Sequence, residues 1–213
     1  MKKPFPLLRF EEVQKELGLN GEQQENIKKL LDESLAASQV RIPNFKSLTE
    51  EERKEKLQEA KKEFAEKMVG FEKRLAEILT TNQQARLSQL RLQLNLQLKG
   101  AAMFGSTGMA KVLKLTDDQR EQIKDINKDT HEKLQKLIES IKSLPKEERS
   151  AKMAEMRDEG IQVIKDSLQK AVEVLKPEQQ QKFEKLKGKK FDVDWAALLA
   201  QQPQETPATG RID

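Results

Sequence analysis

The sequence predicts an all-α protein made of two tandem copies of a long helical hairpin, elongated or cradle-shaped. The chain repeats itself: at an offset of 96 residues, 22 of the 74 ungapped pairs from Leu17/Leu113 to Leu90/Leu186 are identical, whereas the composition alone gives about 6. Apolar residues recur at spacings of three and four, which is the period of an amphipathic helix. A short helix-start motif also recurs at four places. Together these observations predict paired helices in two similar halves.

The composition narrows the class of protein. Of its 213 residues, 36% are charged and only 4% aromatic, so we expect an ordered chain with long helices and a narrow core. The net charge of +4 is small beside 40 basic and 36 acidic residues, which alternate along the helices and argue against a dedicated polyanion binder. The absence of cysteine excludes disulfides, thiol catalysis and thiolate metal sites.

Each half is predicted to contain two long helices joined by a break. In the first half, one helix runs from Asn20 to about Val40, and a second opens at Thr49 after a break that contains Pro43. The second half repeats this plan, and two such helices can close into an antiparallel hairpin. The predicted domains are a first repeat over 1–99, a glycine-rich linker over 100–108, a second repeat over 109–200 and a disordered tail over 201–213.

Residues 87–98 and 191–200 are each predicted to form a further helix. Leucines alternate over 87–98 as they do in a strand, but the segment has no β-branched residue and no second strand to pair with, so we predict a helix. Residues 191–200 are predicted to contain a short docking helix that Asp194 begins, with Trp195, Leu198 and Leu199 on its apolar face.

The recurring motif has the chemistry of a helix start. A threonine at the N-cap accepts a hydrogen bond from the amide three residues later, and a glutamine at that later position reaches back to the threonine amide. At the fourth site, Lys176 stands in place of the threonine and Pro177 occupies the first helical position. We assign these residues a structural role and no catalytic chemistry. They are Leu19, Asn20 and Gln23; Leu79, Thr80 and Gln83; Leu115, Thr116 and Gln119; and Leu175 and Gln179.

With LTTNQ at 79–83 and LTDDQ at 115–119, the chain resembles the LTxxQ-motif family of Spy/CpxP-like bacterial periplasmic chaperones. The resemblance covers most of residues 13–190. It implies an all-α cradle that holds unfolding proteins without ATP, and it implies a periplasmic location. Family members pair two short subunits, whereas this chain carries two copies in tandem. The resemblance therefore implies either a monomer that imitates the family's dimer or a homodimer.

A chaperone of this kind needs accessible apolar side chains with cations around them. The expected partners are unfolded or stressed proteins. The alternative is a structural or regulatory adaptor that docks one defined partner in an envelope stress response, which the same helical stripes fit equally well. For each candidate residue, burial between helices is the competing interpretation. The candidate client-binding residues are Ile42, Phe45, Phe64, Met68, Phe71, Ile138 and Ile141.

Other functions find little support in the sequence. The only histidine, His131, has Asn127 and Gln135 as helical neighbours, so we expect no metal and no cofactor. One histidine without cysteine does not assemble a catalytic set, and we predict no enzyme. The lysines near Phe183 are diluted by glutamates, so we expect no nucleic-acid binding. We also expect no membrane span, and the residues after Met1 do not form a signal peptide.

Overall fold

The computed structural model describes residues 6–38 and 47–200, and within these ranges the chain is all-α, as predicted, with no strand. The leucine-rich segment 87–98 lies in a helix, which confirms that prediction. The helices are α1 (Glu11–Glu16), α2 (Gly21–Ser38), α3 (Glu50–Ile78), α4 (Thr81–Lys99), α5 (Thr107–Leu113), α6 (Asp117–Lys142), α7 (Lys146–Glu173), α8 (Pro177–Lys187) and α9 (Trp195–Ala200), with 3-10 turns at Pro6–Arg9 and Gly100–Met103.

The chain divides into two compact units, unit 1 over 1–88 and unit 2 over 89–213. The division falls inside α4, before the repeat boundary that the sequence predicts at 99. The C-terminal part of α4 belongs to unit 2 because Leu96 is buried in the core of that unit.

Unit 1 contains an antiparallel pair of helices, α2 and α3. Gln23 at the start of α2 donates a hydrogen bond to the carbonyl of Ile78 at the end of α3, and Glu33 further along α2 pairs with Arg74. Thr49 begins α3 with a complete capping box, in which its hydroxyl accepts from the Glu52 amide and the Glu52 carboxylate accepts from the Thr49 amide. The buried side chains near the start of α2 and the end of α3 are Ile27, Leu30, Leu31, Leu75 and Leu79.

Unit 2 contains a second antiparallel pair, α6 and α7. Gln119 at the start of α6 donates to the carbonyl of Val174, just after α7, and Ser140 near the end of α6 lies against Met156. The core lies at the end of the hairpin where α6 begins. Its buried members are Leu96, Ala101, Phe104, Ala110, Leu113, Leu115, Ile123, Ala171, Leu175 and Phe183.

The glycine-rich stretch over 100–108 packs against the core of unit 2. Ala101 and Phe104 are fully buried, and the Phe104 ring lies 5.0 Å from that of Phe183. The Ala101 amide donates to the Ser167 hydroxyl. Gly100 has a φ of +52°, and a Cβ there would lie 2.5 Å from the carbonyl oxygen of Ile164. Only glycine therefore fits this close approach of the two backbones.

Three short helices, α1, α5 and α9, flank the long helices of the two units. The sequence analysis did not anticipate α1 and α5, while α9 begins as predicted, with the Asp194 carboxylate accepting from the Ala197 amide. The predicted break after α2 and the predicted tail over 201–213 lie wholly or partly outside the described residues. Among those that are described, no helix is both long and apolar enough to cross a membrane.

Candidate functional site

The motif glutamines of unit 2 form a reciprocal pair. Nε2 of Gln119 donates to Oε1 of Gln179 at 2.7 Å, and Nε2 of Gln179 donates back to Oε1 of Gln119 at 3.0 Å. Both side chains are buried. The two carboxamides therefore join the starts of α6 and α8, which lie 60 residues apart in the sequence.

Each of these glutamines also binds the backbone on both sides. Oε1 of Gln119 accepts from the Thr116 amide, and Oε1 of Gln179 accepts from the Lys176 amide. The remaining donor of Gln119 goes to the Val174 carbonyl at 2.8 Å, and Nε2 of Gln179 also lies 3.1 Å from the Leu113 carbonyl. A carboxamide has two donors and two acceptor positions. Both side chains therefore use their full capacity, which removes the cost of burying them.

Unit 1 makes the same junction 96 residues earlier. Gln23 and Gln83 exchange hydrogen bonds of 2.8 and 3.1 Å, and their oxygens accept from the amides of Asn20 and Thr80. Nε2 of Gln23 donates to the Ile78 carbonyl, as Gln119 does to Val174. The junction is thus made of the same atoms in both units.

The residue after the second motif glutamine repeats as well. Nε2 of Gln84 donates to the carbonyls of Ala76 and Leu79 in unit 1. Nε2 of Gln180 donates to the carbonyls of Val172 and Leu175 in unit 2. These carbonyls lie at the C-terminal ends of α3 and α7, where helices leave acceptors unsatisfied. The junction therefore closes the end of one helix as well as the start of two others.

A left-handed residue stands before the first motif in each unit. Gly18 has a φ of +61°, and Lys114 has a φ of +54° at the corresponding position. The carbonyl of each lies 3.3 Å from the second motif glutamine, Gln83 or Gln179. The left-handed turn thus presents its carbonyl to the glutamine pair. In unit 2 it does so with a lysine, which pays a steric cost that glycine avoids.

An ion pair links the hairpin helices at the same register in both units. Arg74 on α3 makes two hydrogen bonds to Glu33 on α2, and these hydrogen bonds lower the pKa of the Glu33 carboxyl below its usual range. In unit 2, Lys170 lies 3.9 Å from Asp129. The hydrogen bond from Lys133 is the main cause that lowers the pKa of Asp129. These pairs are solvent-exposed, so they align the helices more than they stabilise them.

Apolar side chains of unit 2 become exposed away from the glutamine junction. Ile123 at the start of α6 is buried, whereas Ile138 near its end is 52% exposed and Ile141 is half-buried. On α7, Met153 near the hairpin turn is 58% exposed. The hairpin therefore presents apolar surface at its turn end, among lysines and glutamates.

The long helix of unit 1 shows the same gradient. Leu75 near the junction is buried, while the predicted candidates Phe64, Met68 and Phe71 are half-buried. The guanidinium of Arg74 lies 6.0 Å from the centre of the Phe71 ring, which places a cation beside this apolar stripe. The other two candidates of unit 1, Ile42 and Phe45, lie outside the described residues.

The sequence analysis assigned the motif glutamines to capping and missed their pairing across each unit. The signal for pairing is that each half carries two copies of the motif, 60 residues apart. Elsewhere, His131 is exposed on α6, and the described residues contain no cluster of three or more acidic, histidine or cysteine side chains placed to hold a metal. In the lysine cluster near Phe183, Lys187 pairs with Glu184 and Lys190 with Asp192.

Within the described residues, the fold and these junctions define an all-α protein whose helical hairpins are closed by glutamine pairs, buried in unit 2 and half-buried in unit 1. Residues 102–187 match a protein-family model that is described as LTXXQ motif family protein. This part of the chain is similar to the LTXXQ motif family, and the match covers the whole glutamine junction of unit 2. The family is typically periplasmic, is associated with chaperone function and is not known for enzymatic activity. A search of curated proteins and a search of solved structures each gave no significant match.

Proposed function

We propose that this protein is an ATP-independent, non-enzymatic chaperone of the periplasm, which binds unfolded or stressed polypeptides. The observation that carries the proposal is the gradient of burial along each hairpin. Apolar side chains at the glutamine junction are buried, whereas Ile138 and Met153 towards the turn are exposed; Met156, close to Met153 on α7, is buried against α6. Accessible apolar surface of this kind marks a binding site.

The charge around this surface suits reversible binding. Lysines and arginines alternate with acidic residues along the exposed faces, and many of them pair within one helix, as Lys133 does with Asp129 and Lys152 with Glu155. Exposed pairs of this type are weak, so a client can replace one partner at little cost. Apolar contacts would then hold the client, while exchangeable charges would limit its residence time.

We also propose that the chain arose by tandem duplication of one LTXXQ unit. The family match covers only unit 2. Its support for unit 1 comes from the hydrogen bonds of Gln23 and Gln83, which reproduce those of Gln119 and Gln179 at an offset of 96 residues. A single chain would then carry two binding units, and one client segment per unit is the expected stoichiometry.

The test of the chaperone proposal is suppression of aggregation without nucleotide. Insulin reduced by dithiothreitol is a suitable client because this chain has no cysteine and is unaffected by the reductant. We expect light scattering to fall as the protein approaches an equimolar ratio. Failure to protect at any ratio, together with capture of one stoichiometric partner from a periplasmic extract, would replace the chaperone proposal with an adaptor function.

A further inference from the structure

The chain after α8 leaves the family-matched region and folds back over unit 2. The matched residues end at 187, and the next residue, Gly188, turns the chain with a φ of +66°. A Cβ at this position would overlap the side chain of Gln89. Glycine is therefore favoured here by the positive φ, whereas the end of the Gln89 side chain can move aside.

One buried side chain fixes the segment that follows. Gln93 on α4 donates to the carbonyls of Lys187 and Lys189 at 2.9 and 2.8 Å, and its Oε1 accepts from the Phe191 amide at 2.9 Å. We call residues 189–200 the C-terminal strap. The Gln93 carboxamide thus joins the start of the strap to α4.

The strap inserts apolar side chains against the unit. Trp195 and Leu198 on α9 are 4% and 3% exposed, and the Phe191 ring contacts the edge of Trp195 at 5.6 Å. A groove of about 470 Å³ lies beside them, between the strap, α4 and α7. The residues that line this groove are Gln97, Asp158, Ile161, Gln162, Lys165, Val193, Asp194 and Trp195.

The strap packs on unit 2 outside the core cluster around Phe104, and its own Trp195 and Leu198 are also buried. None of the residues in the core cluster of unit 2 comes from the strap. At the corresponding positions of the first sequence copy, from 93 to 99, the chain continues as helix α4. The strap thus resembles a bound peptide, because it contacts the unit through three apolar side chains, Phe191, Trp195 and Leu198.

We propose that the strap is an intramolecular ligand of the surface between α4 and α7, which it occupies in competition with apolar segments of client polypeptides. This inference rests on the proposed binding of unfolded proteins. The strap shows which chemistry the surface accepts: a short helical segment with an aromatic anchor and an aliphatic anchor one turn later. An intramolecular ligand lowers the apparent affinity for clients by the fraction of time that it is bound.

Trp195 reports on this competition because it is the only tryptophan of the chain. A tryptophan that moves from a buried site into water shifts its emission to longer wavelength. The probe is reduced, carboxymethylated ribonuclease A, which is permanently unfolded and has no tryptophan. It is titrated into the full-length protein while the emission of Trp195 and the anisotropy of a dye on the ribonuclease are recorded.

A variant releases the strap without touching its anchors. Gln93→Ala removes the three hydrogen bonds that Gln93 makes to this turn, and Gln181→Ala on the exposed face of α8 is the matched control. We expect Gln93→Ala to bind the ribonuclease about fivefold or more tightly than the control, since one net hydrogen bond carries about that factor. A second measurement uses a labelled peptide of residues 192–200 with W195F, which carries none of the atoms that Gln93 binds. It should bind Gln93→Ala and displace the strap of the unmutated protein.

The outcomes separate this inference from the proposed function. A red shift of Trp195 on ribonuclease binding, with tighter binding by Gln93→Ala, supports the strap as a competitor. Equal binding by both variants with unchanged Trp195 emission overturns it and leaves the chaperone proposal intact. Absence of peptide binding to Gln93→Ala also overturns it. If the ribonuclease binds neither variant and insulin is not protected, the proposed function and this inference both fail.

Discussion

Gln119 and Gln179 hold each other in a cyclic pair of amide hydrogen bonds, and each also caps its own helix. The same carboxamide therefore serves a local and a long-range purpose. A residue that only capped would be replaceable by other acceptors such as aspartate. The pair also needs two donors on each side chain, which explains physically why the motif ends in glutamine.

Replacing one member of this pair should destabilise unit 2. Gln119→Leu keeps the volume but leaves the Val174 carbonyl without this donor and removes both hydrogen bonds between Gln119 and Gln179. We expect a loss of about 1–3 kcal/mol in the free energy of unfolding for each buried group left unsatisfied. Urea denaturation followed by circular dichroism measures it. Gln122→Leu, on the exposed face of α6, is the control, and an equal loss in both variants would contradict the role of the pair.

The left-handed position before the first motif predicts opposite effects in the two units. Lys114→Gly should stabilise unit 2 by about 0.5–1 kcal/mol, because glycine avoids the steric cost but gains entropy when unfolded. Gly18→Ala should destabilise unit 1 by about 1–2 kcal/mol through the backbone alone, since no atom lies within 4 Å of the added Cβ. Thermal unfolding of the two variants measures both effects, and changes of the midpoint temperature in the same direction would contradict the prediction.

The capping box of α3 should make unit 1 sensitive to acid. Hydrogen bonds from the amide and then the hydroxyl of Thr49 lower the pKa of Glu52. A pKa that is lower in the folded state adds stability above the ordinary glutamate pKa, and this is lost as the pH falls through the lowered value. Glu52→Gln keeps the geometry but does not ionise in this range. Stability measured from neutral to acidic pH should therefore fall more steeply in the unmutated protein, and parallel curves would count against the box.

The turn end of the unit 2 hairpin should contribute to client binding. The double variant Ile138→Ser, Met153→Ser removes two largely exposed apolar side chains. We expect weaker protection of reduced insulin at unchanged thermal stability, because each side chain already faces water and contributes little to the core. Gln122→Ser and Gln169→Ser together form the control, at exposed polar positions of α6 and α7 away from the turn end. Full protection by the double serine variant would move the client site elsewhere.

The sequence was sufficient where the structural cause is local. Thr49 and Thr116 begin their helices as predicted, because a capping box needs only residues three apart. The helix over 87–98 was likewise predictable from residue propensity, although its leucines alternate. α9 followed from Asp194 and the apolar face behind it.

The sequence was insufficient where the cause lies far along the chain. The glutamine pairs join residues 60 positions apart, and capping alone already explains each glutamine. The segment 100–108 looks like a linker because of its glycines, yet Phe104 is buried against Phe183 and Ser167 satisfies the Ala101 amide. α1 and α5 are too short to show a helical stripe. Each of these features depends on tertiary packing that has no local pattern.

The glutamine junctions have a consequence for the conditions under which the protein keeps its shape. Carboxamides neither titrate nor attract counterions, so acid and salt leave the hydrogen bonds of the glutamine pair intact. Acid and salt do weaken the exposed ion pairs between the hairpin helices, such as the pair of Glu33 and Arg74. The two helices of each hairpin should then separate first at the turn end, while the glutamine pair still holds their other end together. Acid or high salt would therefore increase the separation of the hairpin helices at the turn end without unfolding the unit.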